Sequence, residues 1–171
     1  MAEHERTRIR AAIDAAEGGG APPLSDEQLR TLLAESRTIA IVGASPKADR
    51  PSHGVLLALK AAGWRILPVN PAANALTDGV AGLPCFPDLA TAAASLPSGE
   101  RIDLVDIFRR SEDCAAVTRE AIAVGAGAIW LQLGFISPEA AALAADAGVS
   151  FVQDRCTAIE AQRLKVTGSS A

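Results

Sequence analysis

The stretch Thr38-Ile39-Ala40-Ile41-Val42-Gly43-Ala44-Ser45-Pro46-Lys47-Ala48-Asp49-Arg50-Pro51-Ser52-His53-Gly54 decides the fold. Its first five residues form a short run with no polar alternation, the pattern of a strand buried on both faces. A glycine ends the run, a loop with two cations follows, and a helical pattern opens near Ser52. Ser52 is placed to cap that helix through its hydroxyl.

The same strand-to-helix alternation repeats on either side. Upstream, Ser25 followed by Gln28 reads as a capping box and predicts a helix through about Ser36. Downstream, strands are expected at Arg65 to Val69, Ile102 to Phe108, Ala128 to Leu133 and Val149 to Gln153. Helices are expected at about Ser52 to Ala62, Asp88 to Ser95, Glu112 to Val124, Pro138 to Ala147 and Thr157 to Leu164. Gly63, Gly125 and Gly148 stand where left-handed helix caps belong. The segment Gly79 to Phe86 is too short for a full unit and reads as a small edge strand. Strands that alternate with helices pair in parallel through right-handed crossovers. The expected fold class is therefore α/β, a single Rossmann-like, doubly wound and mainly parallel sheet with helices on both faces. Ligands of such sheets sit outside the carboxyl ends of the strands, at the switch point in strand order.

A chain of 171 residues suits one well-buried core. Gly18-Gly19-Gly20 and Pro22-Pro23 set the N-terminus apart, so residues 1–23 are expected to be a mobile appendage whose residues 2–17 can form a surface helix. Residues 24–166 are expected to be the domain and 167–171 a polar tail. Apolar residues make up 49% of the chain, yet there are two Trp, four Phe and no Tyr. Such a core is aliphatic, and no aromatic platform for nucleic acid is in view. A net charge of -4 supplies no global basic field, so an anionic ligand needs a local site. Cys85, Cys114 and Cys156 are odd in number and lack metal-ligand spacing, which argues against a disulfide framework and a structural zinc. The N-terminus lacks the apolar run of a signal peptide, and no stretch reaches the ~18 apolar residues of a membrane span. A cytoplasmic location is the expectation.

The loop after the first strand carries the chemistry. Gly43 and Ala44 let a ligand approach the backbone, and the following helix offers free amides and the positive end of its dipole to phosphate oxygens. Lys47 and Arg50 add two cations. The plain alternative is an ordinary turn with solvated charges. Neither G-x-G-x-x-G nor G-x-x-x-x-G-K-[ST] is present. The second strand ends in Pro68-Val69-Asn70-Pro71, without the acid that holds the ribose in nicotinamide enzymes.

Six motifs then occur in one order: Ile39-Ala40-Ile41-Val42-Gly43-Ala44-Ser45-Pro46, Arg50-Pro51-Ser52, Pro68-Val69-Asn70-Pro71, Asp106-Ile107-Phe108-Arg109-Arg110, Trp130-Leu131-Gln132-Leu133-Gly134 and Asp154-Arg155-Cys156. From about Thr38 to Leu164 the chain resembles the small CoA-binding protein family. That family is similar in fold to the CoA-binding domain of succinyl-CoA synthetase alpha subunits and of ADP-forming acyl-CoA synthetases. The resemblance implies that coenzyme A or an acyl-CoA is the ligand. Gly43, Ala44, Ser45, Lys47, Arg50, Ser52 and His53 would cradle its pyrophosphate, beside Asn70 and Pro71. The ends of the next two strands, Ile107-Phe108-Arg109 and Gln132-Leu133-Gly134, would meet the nucleotide and the pantetheine. Phe108 offers a surface for adenine, and Arg109 or Arg110 a partner for the 3'-phosphate. The plain readings are core packing for Phe108 and surface charge for one of the arginines.

Autonomous catalysis is not expected. The full synthetases of the resemblance use a phosphohistidine and a separate nucleotide-grasp module, for which this chain has no room. Its histidines are His4, in the appendage, and His53, in the loop. Cys156 could exchange with the CoA thiol if Arg155 lowered its pKa. Three readings stay open from the residues: a CoA-binding module, with a protein partner or a second copy to report to; an NAD(P)-dependent oxidoreductase; and a structural or dimerisation domain with an empty pocket.

Overall fold

The structure is a computed structural model and describes residues 22–169. The expected N-terminal surface helix lies outside these residues. Five strands form one sheet: β1 (Thr38–Val42), β2 (Arg65–Val69), β3 (Leu104–Ile107), β4 (Ala128–Leu131) and β5 (Ser150–Val152). All neighbours pair in parallel, in the order β2-β1-β3-β4-β5. The order reverses between β1 and β3, which makes the gap between their carboxyl ends the switch point.

Among the described residues six α-helices cover the sheet: α1 (Asp26–Glu35), α2 (Pro51–Ala61), α3 (Leu89–Ala94), α4 (Ser111–Ala123), α5 (Pro138–Asp146) and α6 (Thr157–Arg163). Alternation along β1 shows how one strand serves two layers. Ile39 and Ile41 face Leu29 and Leu33 of α1 and Leu56 and Leu59 of α2, together with Trp64 and Trp130. Ala40 and Val42 face the other way, with Leu89 of α3, Val117 of α4 and Ala144 of α5. Full burial of a side chain such as Ile41 or Leu56 contributes about 1.5–3 kcal/mol, so both faces of the sheet are strongly fixed.

Helix ends follow the chemistry of their sequences. The Ser25 Oγ accepts from Gln28 N at 3.2 Å while Gln28 Oε1 accepts from Ser25 N at 2.8 Å, a complete capping box. The expected strands after β2 are each trimmed at their ends, because their outermost residues already turn toward the loops.

Two expectations need correction. Ser52 does not cap α2: the helix starts at Pro51, Arg50 is the cap residue without a side-chain bond, and the Ser52 Oγ accepts from Ser45 N at 3.2 Å. Proline suits the first helical position because that position needs no N–H, so the helix begins one residue early. Gly79 to Phe86 is not a strand. It makes only the bridges Val69↔Phe86 and Val80↔Leu83, interrupted by Pro84 and by left-handed Gly79 and Gly82. Phe86 N donates to the Pro68 carbonyl at 2.9 Å, on the edge where Pro68 itself has no donor.

At the C-terminus Gly168 N donates to the Ala62 carbonyl at 2.9 Å, which lays this backbone against the turn between α2 and β2. Among the described residues no helix is long and apolar enough to cross a membrane.

Candidate functional site

The β1 to α2 loop is pinned to both neighbouring strands. Gly43 N and Ala44 N both donate to the Val69 carbonyl, at 2.9 and 3.2 Å, which holds the loop to the end of β2. On the other side Phe108 N donates to the Val42 carbonyl at 2.8 Å. Gly43 has φ +88°, and a Cβ there would stand 2.4 Å from the Phe108 carbonyl oxygen. Only glycine lets the two chain segments come this close.

The loop is also braced from within. Lys47 N donates to the Ser45 Oγ at 3.2 Å, and Ser45 N donates to Ser52 as described. His53 Nδ1 lies 2.9 Å from the Ser45 carbonyl oxygen. A carbonyl can only accept, so Nδ1 carries the proton in this bond. Asn70 Nδ2 donates to the Ala44 carbonyl at 2.8 Å, and its Oδ1 accepts from Ala72 N at 2.9 Å. Ser45, Ser52, His53 and Asn70 therefore shape the loop, and Pro71 stands exposed beside it.

The cations fall into two groups. Lys47 and Arg50 are exposed, and neither has an ion-pair partner among the described residues. Arg109 lies 3.7 Å from Asp113, and Arg110 reaches Glu112 at 3.5 Å and Asp113 at 3.4 Å. Both of these arginines are engaged by the acidic first turn of α4.

Behind the edge lies a polar network that the sequence did not announce. Asp106, on β3, is fully buried. Gln132 Nε2 donates to Asp106 Oδ1 and to Thr157 Oγ1, each at 2.7 Å, and Thr157 Oγ1 donates to Asp106 Oδ2 at 2.7 Å. Three elements, β3, the end of β4 and α6, are tied by one carboxyl. Burial pushes Asp106 up to about 7, against the two hydrogen bonds that favour its charged form. Gln132, expected in the cleft, has its amide nitrogen committed to this network. Ile107 is core, Phe108 is half-buried, and Leu133 and Gly134 are exposed at the end of β4. An Asp in the middle of an apolar run is the one feature of the sequence that could have pointed to it.

The thiols are not activated. Burial raises Cys85 and Cys156, and pushes Cys114 up to about 11. Arg155 does not lower Cys156, because its guanidinium turns to Glu160 at 3.5 Å. That removes the basis for thiol exchange at Cys156.

Residues 37–162 match the CoA binding domain family. The chain is 33% identical over 132 residues to the uncharacterized protein YneT of Bacillus subtilis (strain 168), covering 77% of this chain and 90% of that one. It is similar to the structure of cell-free ID.343 from Thermus thermophilus, with 33% identity, a TM-score of 0.73, and 82% and 99% of the two chains covered. A third likeness, to the dinucleotide forming acetyl-coenzyme A synthetase 1 of Ca. Korarchaeum cryptofilum, has 21% identity and a TM-score of 0.59. It spans 74% of this chain but 27% of that enzyme, and it speaks for the fold alone.

Proposed function

The chain belongs to the CoA binding domain family, and from that premise we propose that it binds coenzyme A or an acyl-CoA, with the Gly43 to His53 loop holding the pyrophosphate. The observation that carries this reading is the pair of unengaged cations, Lys47 and Arg50, on a braced loop at the switch point between β1 and β3. A pyrophosphate needs donors and positive charge within a small space. The loop supplies two cations, a close backbone and the positive dipole end of α2.

In this reading Gly43 and Ala44 let the backbone approach the ligand, while Ser45, Ser52 and His53 keep the loop in shape. Asn70 and Pro71 form one wall of the cleft. The half-buried ring of Phe108, just past Ile107, offers adenine a face. Arg109 reaches the 3'-phosphate by giving up its weak contact with Asp113, a modest loss for a half-exposed pair at 3.7 Å. Leu133 and Gly134 line the path of the pantetheine, and Gln132 fixes that path from behind.

The site holds its ligand rather than transforming it. This part of the reading is supported by burial, which raises the pKa of all three thiols, so that none is poised as a nucleophile. Thermal unfolding with CoA, acetyl-CoA, 3'-dephospho-CoA, NAD and NADP tests the proposal. CoA and acetyl-CoA are expected to raise the transition, by about 2.7 kcal/mol of stability at a hundred times Kd. 3'-Dephospho-CoA should raise it less. A rise with NAD and none with CoA overturns the proposal.

A further inference from the structure

Buried acids gather behind the carboxyl edge of the sheet: Asp106, Asp154 and Glu160 are 0%, 2% and 4% exposed. Glu160 holds Arg155 at 3.5 Å and Arg163 at 2.7 Å. Asp154 gives Oδ1 to Gly134 N at 2.8 Å and leaves Oδ2 without a partner. Asp106 has only Gln132 and Thr157, both neutral. Among the described residues no cation pairs with Asp106 or Asp154.

Asp106 also stands close to the loop. It lies two residues before Phe108, whose carbonyl abuts Gly43, and so about 7 Å along β3 from that contact. Its register partners are Ile41 and Trp130. Over that face α1 and α2 bury only Leu29, Leu33, Ser52, Leu56 and Leu59, and β1 carries no charged residue. Cys156 and Glu160 approach with α6, Asp154 follows β5, and His53 is the titratable group of the loop, bonded to the Ser45 carbonyl. The network accommodates either charge state of the carboxyl. Gln132 Nε2 can only donate, but the Thr157 hydroxyl can turn from donor to acceptor and receive a proton carried on Asp106 Oδ2. An anion brought to this edge disfavours the ionised form of a carboxyl that no cation screens. Burial already pushes Asp106 up to about 7, so it can take the proton near neutral pH.

We infer that binding of a phosphate-bearing ligand on the Gly43 to His53 loop is coupled to uptake of a proton by Asp106, so that pH regulates the affinity of the site. This rests on the proposed CoA binding. The coupling is reciprocal: the ligand raises the proton affinity of Asp106, and lower pH tightens the ligand. Asp106→Asn tests it, because asparagine keeps the shape of the protonated carboxyl and stays neutral at every pH. CoA is titrated calorimetrically into both proteins, in two buffers of unequal ionisation enthalpy. His53 and the 3'-phosphate titrate in the same range and contribute to both proteins alike, so the difference between the two is read. Near pH 7.5 the wild type should take up roughly half a proton more per CoA than the variant. The variant should bind CoA about threefold to tenfold tighter than the wild type at about pH 8.5 and equally at about pH 6. If the variant does not fold, the infrared difference spectrum of the wild type serves. CoA added near pH 7.5 should raise the band of a protonated carboxyl, which neither His53 nor a phosphate produces. Equal proton uptake and equal affinities in the two proteins, or no new carboxyl band, overturn the inference while leaving CoA binding intact. A wild-type protein that does not bind CoA at any of these pH values removes the CoA reading itself, and this inference with it.

Discussion

Gly43 sets the geometry of the loop at the scale of single residues. Gly43→Ala would meet the Phe108 carbonyl and carry a strained φ, so we expect a destabilisation of about 2 kcal/mol or more in urea unfolding. Arg50 and Arg109 separate the two groups of cations. Arg50→Ala should weaken CoA binding by about 1.5–3 kcal/mol without moving the unfolding transition, whereas Arg109→Ala should weaken it less, because Arg109 already has a partner. Calorimetric titration of both variants distinguishes them. Asp106 controls a pH dependence. Its folded pKa, about 7, lies above the unfolded 3.8, so the native state holds the extra proton between them. The stability it contributes is full below about pH 4 and is lost as pH rises through 7, by a few kcal/mol. Asp106→Asn should flatten the stability profile between about pH 4 and 7; an unchanged slope there would place the titration elsewhere.

Elements were legible where apolar runs were short and bounded by turn residues. All five strands lie where apolar runs were read, and β1, β3 and β4 are buried at every residue because helices cover both faces there. The ends of the last three were overestimated: Phe108 and Gln132 each still donate to the neighbouring strand, to Val42 and Ile107, but the regular pairing stops before them. Ser52 was misread because serine at a helix start commonly caps, but Pro51 takes the first helical position. Gly79 to Phe86 reads as a small edge strand, but Pro84 and the left-handed Gly79, Ala81 and Gly82 prevent pairing beyond single bridges. Ser137 does cap its helix, accepting from Ala140 N at 3.1 Å, and it is buried. Ser137→Ala should therefore destabilise the protein by about 0.5–2 kcal/mol in chemical denaturation.

The whole molecule brings the site together from segments far apart in the chain. The loop at 43–53 could be read in isolation because glycine, two cations and a helix start are adjacent in sequence. Strand order could not be read, and with it the partners of each side chain. The sequence therefore placed Gln132 in the cleft, whereas the sheet brings it to Asp106 and Thr157. Asp154 was visible as a letter in a motif, but its spare oxygen exists only once Gly134 has taken the other. The central claim is that CoA lies across the carboxyl edge with its pyrophosphate on the loop. A crystal structure of the full chain grown with CoA tests it most directly. We predict density for the pyrophosphate within hydrogen-bonding distance of the loop between Gly43 and His53, with Lys47 or Arg50 turned to it. CoA bound away from that loop, with both cations still facing solvent, would contradict the account.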